Sequence, residues 1–267
     1  MKTFKPILLA IVACIVIYSC ATVPLTGRRQ LSLVPDDQIN AAAAQSYSQL
    51  LSSPQTKVVS GTADAQRVKT IGGRLAVAIE KYLQANGYAG QYNFKWEFNL
   101  IQSKEINAWC MPGGKVAVYS GILPVTKSDA GLAVVMGHEI AHAIARHSAE
   151  AMSQQMAAQA GGAAVGAATG GTSQTTQAII GQLYGVGGQL TMLKYSRDKE
   201  NEADRLGLTF MAMAGYDPRE AVYFWQRMAA SKQNGAPPEF LSTHPADATR
   251  IRNIENAIPE AMKYYKK

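Results

Sequence analysis

Two histidines four residues apart, His138 and His142, with Glu139 between them, sit inside a run that reads as helix from Ser128 through His147. At about 100° per residue, positions four apart differ by about 40° in direction, so both rings leave one face of that helix. Glu139 flanks the same side. Two imidazole nitrogens presented in this way can share one ion, and the pair uses two of only 4 histidines in the chain. Zinc suits such a pair, because it polarises a carbonyl and acidifies a water without redox chemistry. Glu139 is then placed to take the proton of that water as general base.

A catalytic zinc needs a third protein ligand and an open position. His147 lies nine residues beyond His138, about half a turn around a continuous helix, and so faces away. The longer metzincin motif would need glycine and histidine where Ala145 and Ser148 stand, which excludes that class. A glutamate on a later helix is the other solution, and Glu200-Asn201-Glu202-Ala203-Asp204 supplies it. Glu200 and Asp204 are four apart and share a face, whereas Glu202 points nearly opposite. Glu200 is expected to ligate and Asp204 to hydrogen-bond a histidine ring from behind. Gly207, on the same face, would let the two helices approach closely. The competing reading is a solvated acidic face.

The first twenty residues read as a leader. Lys2 and Lys5 precede an apolar stretch from Ile7 to Ile17, which is too short for a membrane span of about 20 residues. It ends Ile17-Tyr18-Ser19-Cys20, similar to a bacterial lipobox in which the cysteine is lipidated and becomes the new N-terminus. An ordinary secretory signal and an uncleaved anchor are the alternatives. Ala21 in place of aspartate after Cys20 favours the outer membrane, facing the periplasm. The chain then divides into a signal peptide (1–19), a lipidated tether (20–34) and one peptidase domain (35–267). With Cys14 inside the leader and Cys20 lipidated, Cys110 has no partner, so core burial and a metal must hold the fold rather than disulfides. The formal charge is +7. Its basic residues are scattered without interleaved aromatics, which argues against a nucleic-acid partner.

Along the chain, helical patterns are expected from Asp36 to Leu51 and from Thr62 to Gly87, the second carrying Val68, Ile71, Leu75, Ile79 and Leu83 at helical steps. Tyr92, Phe94, Trp96 and Phe98 alternate with polar residues and predict a half-buried strand. A second strand, Lys115 to Tyr119, follows the turn Met111-Pro112-Gly113-Gly114. Between Glu150 and Lys194 there is no charged residue. Its glutamines break every candidate membrane span, so glycine-jointed helices over the site are expected there rather than a membrane hairpin. Further helices run from Lys194 to Ala214, from Pro218 to about Ser231, and after His244-Pro245. The result is an α+β, mostly helical, zincin-like (gluzincin) peptidase domain with a small sheet beside the metal helix.

Several motifs together carry a family resemblance: Asn107-Ala108-Trp109 with Pro112-Gly113-Gly114; Gly137 to His142 with Ala145-Arg146-His147-Ser148; Ser196-Arg197 with Glu200 and Glu202-Ala203-Asp204; and Thr243-His244-Pro245. They resemble the HtpX/BepA-type zinc metalloproteases (peptidase family M48). Pro24-Leu25-Thr26-Gly27-Arg28 is similar to the small bacterial lipoprotein members. The resemblance implies Glu200 as third zinc ligand and Glu139 as base, in agreement with the spacing. It also implies polypeptide substrates, namely misfolded or unassembled envelope proteins, with a chaperone-like assembly factor at the outer-membrane machinery, its protease latent, as the alternative. Some members add a repeat-helix domain, for which this chain is too short. His244 could stabilise the oxyanion, close the open zinc position as a latch, or be structural. Asn107, Ala108, Gly113 and Gly114 resemble the edge strand on which zincins lay an extended substrate, the alternative being a plain hairpin turn. Cys110 reads as a buried apolar residue rather than a ligand.

Overall fold

The computed structural model describes residues 20–23, 26–162, 195–231 and 238–266. Two short strands, β1 (Cys20–Thr22) and β2 (Arg29–Leu31), form an antiparallel hairpin. Helix α1 (Asp36–Ser52), strand β3 (Val58–Val59) and helix α2 (Ala63–Ala85) follow. Strands β4 (Glu97–Ile101), β5 (Ala108–Met111) and β6 (Lys115–Tyr119) lead through a short helix, α3 (Leu123–Thr126), to α4 (Asp129–Ile144) and α5 (His147–Gly162). After residue 195 come α6 (Arg197–Met213), α7 (Glu220–Ala230), α8 (Glu239–Thr243) and α9 (Ala248–Ala261).

Local chemistry sets the helix ends. Thr62, Ser128, Ser196 and Asp247 each accept a hydrogen bond from a backbone N–H of the first turn of α2, α4, α6 and α9. The predicted stripe of α2 is the buried one, with Val68, Ile71, Leu75, Ile79 and Leu83 all in the core. Helix α4 is buried on every side, as the central helix of a fold must be. It crosses α6 where Gly137 meets Gly207. A Cβ on Gly207 would lie 2.9 Å from the His138 backbone nitrogen, so only glycine permits this approach.

The four-stranded sheet has the order β3-β4-β6-β5. Its central pair, β4 and β6, is parallel, and both outer pairs are antiparallel. Strand β5 therefore ends the sheet. Its side chains alternate: Ala108 and Cys110 join the main core with α4, while Trp109 and Met111 join a second cluster with Ile39, Ala43 and Tyr47 of α1.

Three expectations differ from what is observed. The predicted strand from Tyr92 to Phe98 is regular only from Glu97, although its aromatics do line one face and stack at 5.3, 4.4 and 5.9 Å between successive rings. Its earlier part faces the β5–β6 turn, where the Gly113 and Gly114 carbonyls accept from the N–H of Lys95 and Glu97. The helix expected through His147 breaks at Arg146, which adopts a left-handed φ of 53°, and a new helix starts at His147. Among the described residues of 20–34, expected as an extended tether, β1 and β2 instead pair as a hairpin and Val23 is fully buried. The leader (1–19) and most of the charge-free segment (163–194) lie outside the described residues. Among the described residues no helix is long and apolar enough to cross a membrane.

Candidate metal centre

Helix α4 delivers His138, Glu139 and His142, α6 delivers Glu200, and the residue closing α8 is His244. All five are buried. The four groups His138, His142, Glu200 and His244 each direct one ligand atom into a space where those atoms lie within 4.8 Å of one another. His138 Nε2 is 3.1 Å from His142 Nε2 and 3.2 Å from His244 Nδ1. Glu200 carboxylate oxygens stand 3.0 Å from His244 Nδ1, 3.4 Å from His142 Nε2 and 3.6 Å from His138 Nε2. Nitrogen and oxygen ligands at zinc distances of about 2.0–2.1 Å, set tetrahedrally, are about 3.3–3.4 Å apart. The observed separations bracket that value, so this donor set fits zinc.

Glu139 is not one of the four. Its Oε1 is buried without a hydrogen-bond partner among the described residues, and His244 Nε2 is 3.5 Å away. Burial raises its pKa above the ordinary carboxylate value, against the pull of His244 and His138. A buried carboxylate oxygen with an unmet acceptor beside a ring of ligand atoms is where a water to be deprotonated would sit.

Asp204 Oδ1 lies 2.9 Å from His138 Nδ1, so Asp204 stands behind the ring. Burial disfavours charge on His138, but Asp204 and Glu200 outweigh it and hold its pKa up at about 9. His142 lacks such a carboxylate, and burial pushes its pKa well below the usual value.

Sequence reasoning missed several residues here. Arg250, on α9, binds both Asp204 oxygens at 2.8 Å and reaches Glu200 Oε2 at 3.0 Å, with its guanidinium 3.5 Å over the Trp225 ring. The signal was available: Arg250 falls on the stripe it shares with buried Ile254 and Ala261, where an arginine needs carboxylate partners. His147, expected to face away, is instead fully buried with Nδ1 2.8 Å from His142 Nδ1. It lies outside the group of four donors, behind His142. The helix break at Arg146 redirects it. Glu202, expected opposite the site, contacts His147 at 2.9 Å. Tyr195 stacks on His142 with ring centroids 4.4 Å apart.

The proposed substrate strand is only partly a strand. Ala108 lies in β5, at the end of the sheet. Asn107 is buried and its Oδ1 accepts from the Ala108 N–H. Gly113 and Gly114 form the β5–β6 turn at φ 77° and 82°, and their carbonyls accept from the Lys95 and Glu97 N–H groups. Cys110 is a free, half-buried thiol outside the metal group.

Comparison with known proteins agrees with this geometry. Residues 64–258 match the family model described as Peptidase family M48. The chain is 35% identical over 175 residues to the mitochondrial metalloendopeptidase OMA1 of Schizosaccharomyces pombe, covering 65% of this chain and 50% of that protein. It is 29% identical over 246 residues to the mitochondrial metalloendopeptidase OMA1 of Homo sapiens, covering 90% and 46%. With the beta-barrel assembly-enhancing protease of Escherichia coli K12 it shares 31% identity over 173 residues, covering 63% and 36%. The chain spans about half the length of the first of these relatives, and less of the last. The motif resemblance is thus met at the level of the family, while similarity extends to mitochondrial relatives as well as to the bacterial ones it pointed to.

Proposed function

This chain belongs to peptidase family M48, and on that premise we propose that it is a zinc-dependent endopeptidase acting on unfolded or unassembled polypeptides. The observation that carries the proposal is the group of four buried donors with the unpartnered Oε1 of Glu139 beside it. A bound zinc would supply Lewis acidity, polarising the scissile carbonyl and bringing the pKa of a water toward about 7. The protein's own groups do the rest. His138, His142 and Glu200 hold the ion. Asp204 keeps the proton of His138 on Nδ1, leaving Nε2 free for the centre. Glu139 accepts the proton of the attacking water and returns it to the departing amide nitrogen.

His244 completes a closed set of four, whereas a working centre keeps one position open. We infer that it is a latch that must withdraw before substrate enters. That feature also supports the second reading, an assembly factor whose protease is normally latent. The leader ending in Cys20 supports placement as a lipoprotein on the periplasmic face of a bacterial outer membrane. Replacing Cys20 with Ser, followed by fractionation and mass analysis of the N-terminal peptide, tests that placement separately.

The activity test uses zinc-loaded protein and an unfolded protein substrate, comparing wild type with Glu139→Gln. Cleavage by wild type, with none by a variant that still holds one zinc, is expected. Equal cleavage by both would remove Glu139 as base, and no cleavage by either wild type or His244→Ala would favour the assembly-factor reading.

A further inference from the structure

The hairpin at residues 20–31 is far from the metal centre in sequence, yet a continuous line of hydrogen bonds joins the two. His142 turns Nε2 toward the other ligand atoms and its Nδ1 toward His147 Nδ1, 2.8 Å away. His147 Nε2 is 2.9 Å from Glu202 Oε2. The Glu202 carboxylate in turn accepts from Thr26 Oγ1 at 2.5 Å and from Arg28 Nε at 2.8 Å.

Two facing nitrogens at 2.8 Å share one proton, and the metal role decides who carries it. For His142 to ligate through Nε2, its proton must sit on Nδ1 and point at His147. His147 must then accept at Nδ1 and carry its own proton on Nε2, donated to Glu202. Glu202 is acceptor only, as an ionised carboxylate is, and takes donors from both ends of the line. With His142 Nε2 reserved for the ion, only this arrangement of protons satisfies every contact. Asp204 fixes the proton of His138 directly. For His142 the carboxylate acts at one remove, and the hairpin fixes that carboxylate.

The hairpin is well fastened. Val23 is fully buried, the Leu33 N–H donates to Ser153 Oγ at 2.9 Å, and Arg28 also pairs with Glu150 at 3.0 Å.

We propose that Thr26 and Arg28, acting through Glu202 and His147, are positioning residues that set the orientation and proton placement of His142 in the metal centre. The proposal rests on the metal-centre reading above. Its test reads metal binding rather than turnover. Apo full-length protein is titrated with zinc against a chromophoric chelator, and the cobalt-substituted protein is examined by visible absorption. The forms compared are wild type, Thr26→Val, Thr26→Val/Arg28→Met, Arg28→Lys and Glu202→Gln. Loss of an outer partner of a ligating histidine typically costs about 10–100-fold in metal affinity. About tenfold weaker zinc binding is expected for the hairpin double variant, and a larger loss for Glu202→Gln. The cobalt bands should shift in both, and Arg28→Lys should stay close to wild type.

A hairpin that merely fastens the chain would lower the apo melting temperature and leave zinc affinity and cobalt bands unchanged. That result overturns the proposal. Should Glu202→Gln fail to fold, Thr26→Val decides alone, since it removes one donor at a partly exposed position: unchanged affinity and bands overturn the proposal, and a measurable loss supports it. A wild type that takes up no zinc would overturn the metal reading and this proposal together. Uptake by wild type with unchanged variants would overturn this proposal only.

Discussion

His244 Nδ1 stands 3.0 Å from both carboxylate oxygens of Glu200. The imidazole thereby occupies the space opposite the two histidines of α4, and its ring also lies 4.7 Å from Phe240. Its ring touches side chains of α4 and α6, but its backbone belongs to the end of a five-residue helix and a proline-restrained loop. A group so placed can leave without unfolding the centre. His244→Ala is therefore expected to raise basal cleavage of an unfolded substrate severalfold and to speed zinc release to a chelator. Slower turnover with unaltered zinc release would assign it to the oxyanion instead.

Glu200 is the sole carboxylate within the donor group. Glu200→Ala should abolish both cleavage and stoichiometric zinc binding, whereas a base variant loses only cleavage. Metal analysis after dialysis separates the two. Full occupancy in Glu200→Ala would send the ligand search to Glu202 and Asp204.

Arg250 is buried among carboxylates and contacts Glu200 and Asp204 together. Truncation leaves those charges without their cation, and breaking a buried pair in this way costs about 3–5 kcal/mol. Arg250→Met is expected to lower apo stability by that order in chemical denaturation. A change within about 0.5 kcal/mol, the size typical of surface substitutions, would show the cluster to be better hydrated than its burial implies.

Gly207 faces the backbone of His138 across the α4–α6 crossing. Gly207→Ala should push the helices apart, cost about 1–3 kcal/mol as overpacking does, and weaken zinc binding by moving Glu200 relative to the histidines. Denaturation and chelator titration on the same variant check both effects. Unchanged stability would mean that the helices slide rather than separate.

What could be read from the sequence was what the helix period controls. His138, Glu139 and His142 share a face because they are neighbours on one helix, and Glu200 with Asp204 repeats the logic on another. Their meeting in space follows from the crossing of Gly137 and Gly207, of which the helix period marked Gly207. The remainder depended on events that the period does not encode. A left-handed residue at Arg146, with no glycine to announce it, turned His147 from an outward residue into the support of His142. Arg250 and the Thr26–Glu202 contact join residues dozens to well over a hundred positions apart, and no local pattern carries such pairings. The aromatic alternation from Tyr92 correctly marked one face. It could not show that the partner opposite Lys95 is a turn rather than a strand.

The donors come from α4, from α6 and from the end of α8, so the unfolded chain offers no assembled site. Metal occupancy and folding are then two views of one equilibrium. An ion that binds only the folded form adds about 1.4 kcal/mol for each tenfold excess over its dissociation constant. Scarcity of the ion in its surroundings would be felt first as shortened lifetime of the protein, before any loss of catalytic competence in the molecules that remain.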